Sequence, residues 1–181
     1  MAYPLNTIIS VSGRTIKIAH QDIPGQPKTY STAAIAALGT SLTVMDNSGL
    51  SNAEYIRIGK LGTERTEIVR INGAVTRGTA LTVTATVFAH PAGVEVERVL
   101  FNQVRIYGNS TNSSSSATLI ATIDVQTDAP HTTYVNAGTE YAFYLVVGYN
   151  SNSASEGDFS DGVSRTTGHA SNSVGNLINS A

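Results

Sequence analysis

Imidazoles and carboxylates are the groups in this chain best suited to acid–base or metal chemistry, and their spacing limits what they can do. Four histidines and 13 Asp and Glu residues are spread over 181 positions. His90 stands in the run His90-Pro91-Ala92-Gly93, and an imidazole has the pKa of a general base. A base needs a partner to activate, and no Gly-x-Ser-x-Gly nucleophile turn accompanies it. The expected role is a turn histidine bonded to nearby backbone. His20-x-Asp22 could open a metal site, yet no third and fourth ligand stand at usable spacing. Glu156, Asp158 and Asp161 crowd one turn, where calcium is conceivable. The Asp-x-Asx-x-Asx-Gly spacing of a calcium loop is missing, so a solvated loop is expected. Glu64 and Glu67 stand near Arg65 and Arg70, and strand-face ion pairs worth under about 1 kcal/mol each are expected. Phosphate-binding Gly-Lys-Ser/Thr loops and dinucleotide fingerprints do not occur. These residues therefore assign no catalytic, cofactor-binding or metal-binding site, no cofactor and no enzymatic activity.

The elements that would position these groups read as strands. Short β-rich runs alternate with turn residues, the pattern of an all-β chain. Residues 7–11 and 14–19 flank Ser12-Gly13, a hairpin turn. Residues 31–38 are ambiguous, because alanine favours helix but the run is short. Strands follow at 42–44, 55–58, 66–71, 81–87 and 94–99, and Asn72-Gly73 is the strongest hairpin signal in the chain. Beyond Phe101, residues 102–107 point Val104 and Ile106 inward, and 109–116 form an exposed polar loop. That loop carries two sequons, Asn109-Ser110-Thr111 and Asn112-Ser113-Ser114, which without secretion mark only flexibility. Strands at 118–125 and 132–135 precede an aromatic strand over 141–149 and an edge strand over 157–163. In the aromatic strand Tyr141, Phe143, Leu145 and Val147 share one face, with Tyr144, Val146 and Gly148 on the other. Residues 166–181 are polar, with only Val174, Leu177 and Ile178 apolar, and read as a tail.

Composition narrows the partners. Charged residues make up 13% of the chain and the net charge is −2, against about 25% charged in an average domain. Eleven scattered basic residues do not form the clustered patch that phosphates require, so no nucleic-acid partner is expected. Met1-Ala2-Tyr3-Pro4 lacks the basic start and apolar run of a signal peptide. No apolar stretch, 33–38 included, is long enough to cross a membrane, and no membrane partner is expected. Without cysteine no disulfide can staple small units, and units of about 60–70 residues bury only about 60% of their unfolded surface. Such units lean on neighbours.

Two resemblances extend this reading. The runs Phe101-Asn102-Gln103-Val104-Arg105-Ile106-Tyr107, Thr139-Glu140-Tyr141-Ala142-Phe143-Tyr144-Leu145-Val146-Val147-Gly148-Tyr149-Asn150 and Phe159-Ser160-Asp161 resemble a fibronectin type III or immunoglobulin-like sandwich. Tryptophan and a cysteine pair are missing, and 101–165 is short for seven strands, so a reduced sandwich is implied. Leu42-Thr43-Val44, Tyr55-Ile56-Arg57-Ile58-Gly59, Glu67-Ile68-Val69 and Ala89-His90-Pro91-Ala92-Gly93-Val94 resemble a small β module of tailed-bacteriophage virion proteins. The resulting layout is an anchoring arm over 1–39, a small β-barrel-like or β-sandwich module over 40–100, an immunoglobulin/fibronectin-like sandwich over 101–165 and a polar tail over 166–181.

What the resemblance implies is a non-enzymatic virion component, assembled in the host cytoplasm. Its leading form is a capsid decoration or cement protein bound to the major capsid protein or other virion proteins, as a homo-oligomer. A neck, head–tail connector or tail protein is the first alternative. A carbohydrate-binding adhesion module using the 141–149 strand is the second, though tyrosines there suit sheet packing. An enzyme is the third, for example a glycosidase with paired carboxylates, and a small chain without βα units or motifs speaks against it.

Overall fold

Alternation dominates the folded chain. The computed structural model describes residues 7–160, 162–164 and 169–171, and these form strands, turns and loops with no helix. Two hairpin strands come first, β1 (Thr7–Ser12) and β2 (Thr15–His20). Six short strands follow: β3 (Lys28–Tyr30), β4 (Ser41–Leu42), β5 (Tyr55–Ile58), β6 (Glu67–Arg70), β7 (Leu81–Thr82) and β8 (Glu95–Val99). The rest are β9 (Gln103–Asn109), β10 (Thr118–Asp124), β11 (Thr132–Val135), β12 (Phe143–Asn150), β13 (Ser155–Glu156), β14 (Val163–Ser164) and β15 (His169–Ser171). The chain divides into two compact units: Met1–Asp22, Phe101–Val125 and His131–Ala181 make the first, Ile23–Leu100 and Gln126–Pro130 the second. The second unit is thus an insertion between β2 and β9.

The first unit is a sandwich. One sheet has the order β11-β2-β1-β15, all antiparallel. The other runs β10-β9-β12, with β13 and β14 both paired to β12. Period-two alternation turns Ile9, Val11, Ile16 and Ile18 of the hairpin to one side. There they pack with Val104, Ile106, Tyr144, Val146 and Val163 of the second sheet in one buried core. The corner before β12 has its own lock. Tyr144 is fully buried, and its hydroxyl accepts a 3.1 Å bond from Asn136 Nδ2. Asn136 Nδ2 also reaches Thr139 O, and Arg14 Nη1 donates to the carbonyls of Asn136 and Gly138. Gly108 serves the same region: a Cβ there would lie 2.2 Å from the Tyr141 ring.

The second unit has a four-stranded antiparallel sheet, β3-β8-β5-β6, and a two-stranded one, β4-β7. Single bridges, Ser31↔Val44 and Ile71↔Val83, link the short pair to β3 and β6, the two edges of the larger sheet. No continuous ladder closes a barrel. Leu42, Ile56, Ile58, Val69, Ile71, Leu81, Val83 and Val96 fill the core between them.

Several expectations need correction. Residues 1–39 are not one arm: Thr7–His20 supply two strands and four core side chains of the sandwich, and Ile23 onward belongs to the inserted unit. The sandwich is consequently not confined to 101–165. The strands that segment lacked are β1 and β2, separated from it in sequence by the insertion. Asn72-Gly73 does not close a hairpin. Asn72 N–H continues the ladder to Thr82 O, and Gly73 N–H is taken by Asn52 Oδ1. The reversal lies further on, at Gly78, where φ is 78° and Thr79 N–H bonds Thr76 O. The strand expected at 81–87 stops after two residues, and the one at 157–163 is replaced by β13 and β14. Residues 31–38 form no helix; they are tied by the Ser31 and Ile35 bridges. In the segment read as a tail, 169–171 pair with β1. Asp161, Val174, Leu177 and Ile178 lie outside the described residues.

Candidate interaction sites

Among the described residues, two candidate places are a cleft in the inserted unit and an aromatic face of the sandwich. The cleft encloses about 490 Å3 and is lined by Tyr30, Lys60, Glu64, Arg65, His90 and Glu95, among others. One wall is the loop after β5. Lys60 O accepts from Thr63 N–H at 3.1 Å, Thr63 Oγ1 at 2.6 Å and Thr66 Oγ1 at 2.7 Å. From 126–130, Thr127 Oγ1 donates to Thr66 O and Thr127 O accepts from Gly62 N–H. These bonds hold Arg65 in the left-handed region at φ 63°, a conformation that costs a non-glycine residue about 1 kcal/mol or more. Gly59 opens the loop at φ 102°, and a Cβ there would meet Thr66 Oγ1 at 2.6 Å. The loop backbone is fixed, while Glu64 and Arg65 remain 89% and 65% exposed and join only at 3.8 Å.

His90 lies at the buried side of this cleft. Its Nε2 is 2.8 Å from Glu67 Oε1, and its backbone pairs with Ile35 in both directions. Glu67 also accepts from Val87 N–H at 2.7 Å and Phe88 N–H at 2.9 Å. The structure differs from the expected histidine bonded to nearby backbone: the ring takes the Glu67 carboxylate, and the main chain pairs with Ile35, distant in sequence. Glu67 departs from the expected strand-face ion pair. It stands on the buried side of β6, opposite Ile58, and anchors the 86–90 loop. Arg70 turns to Asn72 at 2.9 Å. Behind the sheet, Arg57 Nη2 reaches Glu97 at 2.7 Å and Glu95 at 3.1 Å, with Lys28 3.4–3.5 Å from the same carboxylates. Alternation in Tyr55-Ile56-Arg57-Ile58 places Arg57 opposite the core, but only strand register shows that Glu97 is its neighbour.

The second site covers the outer face of the β9–β12 sheet. Arg105 stacks over Tyr149 at 3.6 Å from the ring centroid and donates to Glu156 at 2.9 Å. Tyr107 also donates to Glu156, and its ring meets Phe159 edge-on at 5.0 Å. Burial first, and the Glu156 carboxylate second, hold the Tyr107 phenol above its ordinary pKa, so it stays a donor. The Glu156 hydrogen bond likewise raises the Arg105 guanidinium. Glu156 is thus drawn to the sheet and away from the calcium loop considered for it. Among the described residues no three His, Asp or Glu side chains converge as metal ligands. His20 Nε2 sits 2.7 Å from Thr132 Oγ1, and burial pushes its pKa down to about 4. The aromatic run at 141–149 marked this strand in advance; the partners on β9 and β13 are visible only once the sheet is paired. Comparison of the chain with family models, curated proteins and solved structures finds no match.

Proposed function

We propose that the chain is a non-enzymatic structural subunit of a tailed-phage virion, a decoration protein bound to the capsid shell. The observation that carries this reading is the ordered face of Arg105, Tyr107, Tyr149, Glu156 and Phe159. Tyrosine and arginine dominate the energetic centres of protein interfaces, and side chains already fixed by one another lose little entropy on docking. The low charge of the chain adds to this, since charged residues are depleted at interface cores. The resemblance of the 40–100 run to a small β module of virion proteins supplies the particle. With β1 and β2 built into the sandwich, contact through a sheet face replaces contact through a free arm. Many copies on a symmetric shell gain avidity without any one strong site. Mass spectrometry of particles purified from the producing lysate checks the assignment. The chain is expected at a fixed, high copy number relative to the major shell protein; its absence from the particles refutes the reading.

A further inference from the structure

We infer that Asn72 is a self-modification site: its carboxamide can close on the Gly73 amide nitrogen, and Asn52 holds that reaction off. This does not rest on the virion assignment. Asn72-Gly73 is the only Asn-Gly pair in the chain. Glycine has no side chain to shield its amide nitrogen, so this is the dipeptide in which that nitrogen reaches the preceding carboxamide most readily. The step balances with water as its only co-reactant. The Gly73 nitrogen gives up its proton and attacks Asn72 Cγ. The N–Cγ bond forms, the Cγ–Nδ2 bond breaks, and ammonia leaves with that proton. Water then opens the cyclic imide at either carbonyl. One opening leaves an aspartate at position 72, the other an isoaspartate whose main chain runs through Cβ and Cγ. Either product puts a new carboxylate beside Arg70, and the isoaspartate also lengthens the ladder strand in which Asn72 N–H meets Thr82 O.

The fold treats the two reacting groups in opposite ways. Arg70 Nε donates to Asn72 Oδ1 at 2.9 Å, and a cationic donor draws electron density from Cγ, the atom to be attacked. Asn72 is exposed, so water reaches it and ammonia can depart. The nucleophile is withheld: Gly73 N–H donates to Asn52 Oδ1 at 2.9 Å and keeps its proton there. Asn52 is itself set in place by its neighbours. Ala53 N–H bonds Ile71 O and Ile71 N–H bonds Glu54 O, both at 2.9 Å, which clamps 53–54 to the residue before Asn72. Glu54 Oε2 accepts from Ser51 N–H at 2.8 Å on the other side of Asn52. Between them Ala53 is held left-handed at φ 70°, a conformation that a non-glycine residue keeps only where surrounding bonds impose it. Attack is thereby confined to local openings in which Asn52 releases Gly73.

The test incubates the full chain, Asn52→Ala and Asn52→Asp at mildly alkaline pH. Conversion of Asn72 is followed by peptide mass spectrometry that separates the aspartate and isoaspartate forms, alongside hydrogen exchange of the 71–73 amides. The unaltered chain is expected to convert slowly. Asn52→Ala removes the acceptor and is expected to accelerate conversion about tenfold, equivalent to about 1.4 kcal/mol. Exchange of the Gly73 amide should rise by the same factor, while the Ile71 and Asn72 amides keep their protection. Asn52→Asp retains an acceptor oxygen and is expected to stay slow. Asn52 is exposed, so neither substitution empties a core. Conversion that Asn52→Ala leaves unchanged, conversion as fast in Asn52→Asp as in Asn52→Ala, or acceleration accompanied by lost protection at Ile71 and Asn72 overturns the inference.

Discussion

Tyr144 shows how much one hydroxyl organises. It is buried between the sheets, and its oxygen accepts from Asn136, which in turn bonds Thr139 O and caps Gly138 N–H. Tyr144→Phe keeps the ring and removes the acceptor, leaving a buried amide short of a partner. A loss of about 1–3 kcal/mol is expected in urea unfolding. His20 gives a pH signature. Its folded pKa of about 4 lies below the ordinary 6.5, so the unfolded chain binds the proton more tightly. Stability from this residue is therefore full above pH 6.5 and falls as pH drops towards 4, by at most about 1.4 kcal/mol per pH unit. Substitution His20→Gln should flatten the unfolding midpoint against pH in that window; an unchanged slope contradicts the assignment. At this scale the sequence was readable in part. His90 in a Pro-Ala-Gly turn announced a loop histidine, but Glu67 is 23 residues away and its approach follows from the fold alone.

Strands explain what residues cannot. The hairpin at Gly13 and the alternation of Val104 and Ile106 were legible, because local turn chemistry and period two act within a few residues. Asn72-Gly73 misled for a tertiary reason: Asn52 Oδ1 captures the Gly73 amide and Thr82 O the Asn72 amide, so the chain runs on before it turns. Glu67 anchors the loop before β8 by binding Val87 and Phe88 N–H with one carboxylate. In Glu67→Gln one side-chain oxygen becomes a donor and faces an N–H. Hydrogen exchange at Val87 and Phe88 should accelerate roughly 10-fold or more, for a local loss of about 1–3 kcal/mol, while β9–β12 amides keep their protection. Equal exchange in both proteins would show that the loop is held by other contacts.

At the scale of the molecule the chain is a sandwich interrupted by a second β unit. The sequence hid this because strands that share a core are separated by the whole of Ile23–Leu100. Periodicity sees neighbours, not partners. Deleting residues 1–22 tests the point. It removes four of nine buried core residues, Ile9, Val11, Ile16 and Ile18. At about 1.5–3 kcal/mol each the loss is roughly 6–12 kcal/mol, comparable to the whole stability of a domain, about 5–15 kcal/mol. The truncated chain should lose the dispersed amide spectrum of the sandwich, where removal of a free arm would leave it intact. The most direct test of a surface-bound subunit is saturation binding of the purified full chain to particles depleted of it. Saturable cosedimentation is predicted at a copy number set by the shell's symmetry, weakened about tenfold or more by Tyr107→Ala with Tyr149→Ala, as for interface hot spots. A chain that stays in the supernatant at every concentration, or binds equally with both tyrosines removed, contradicts the account.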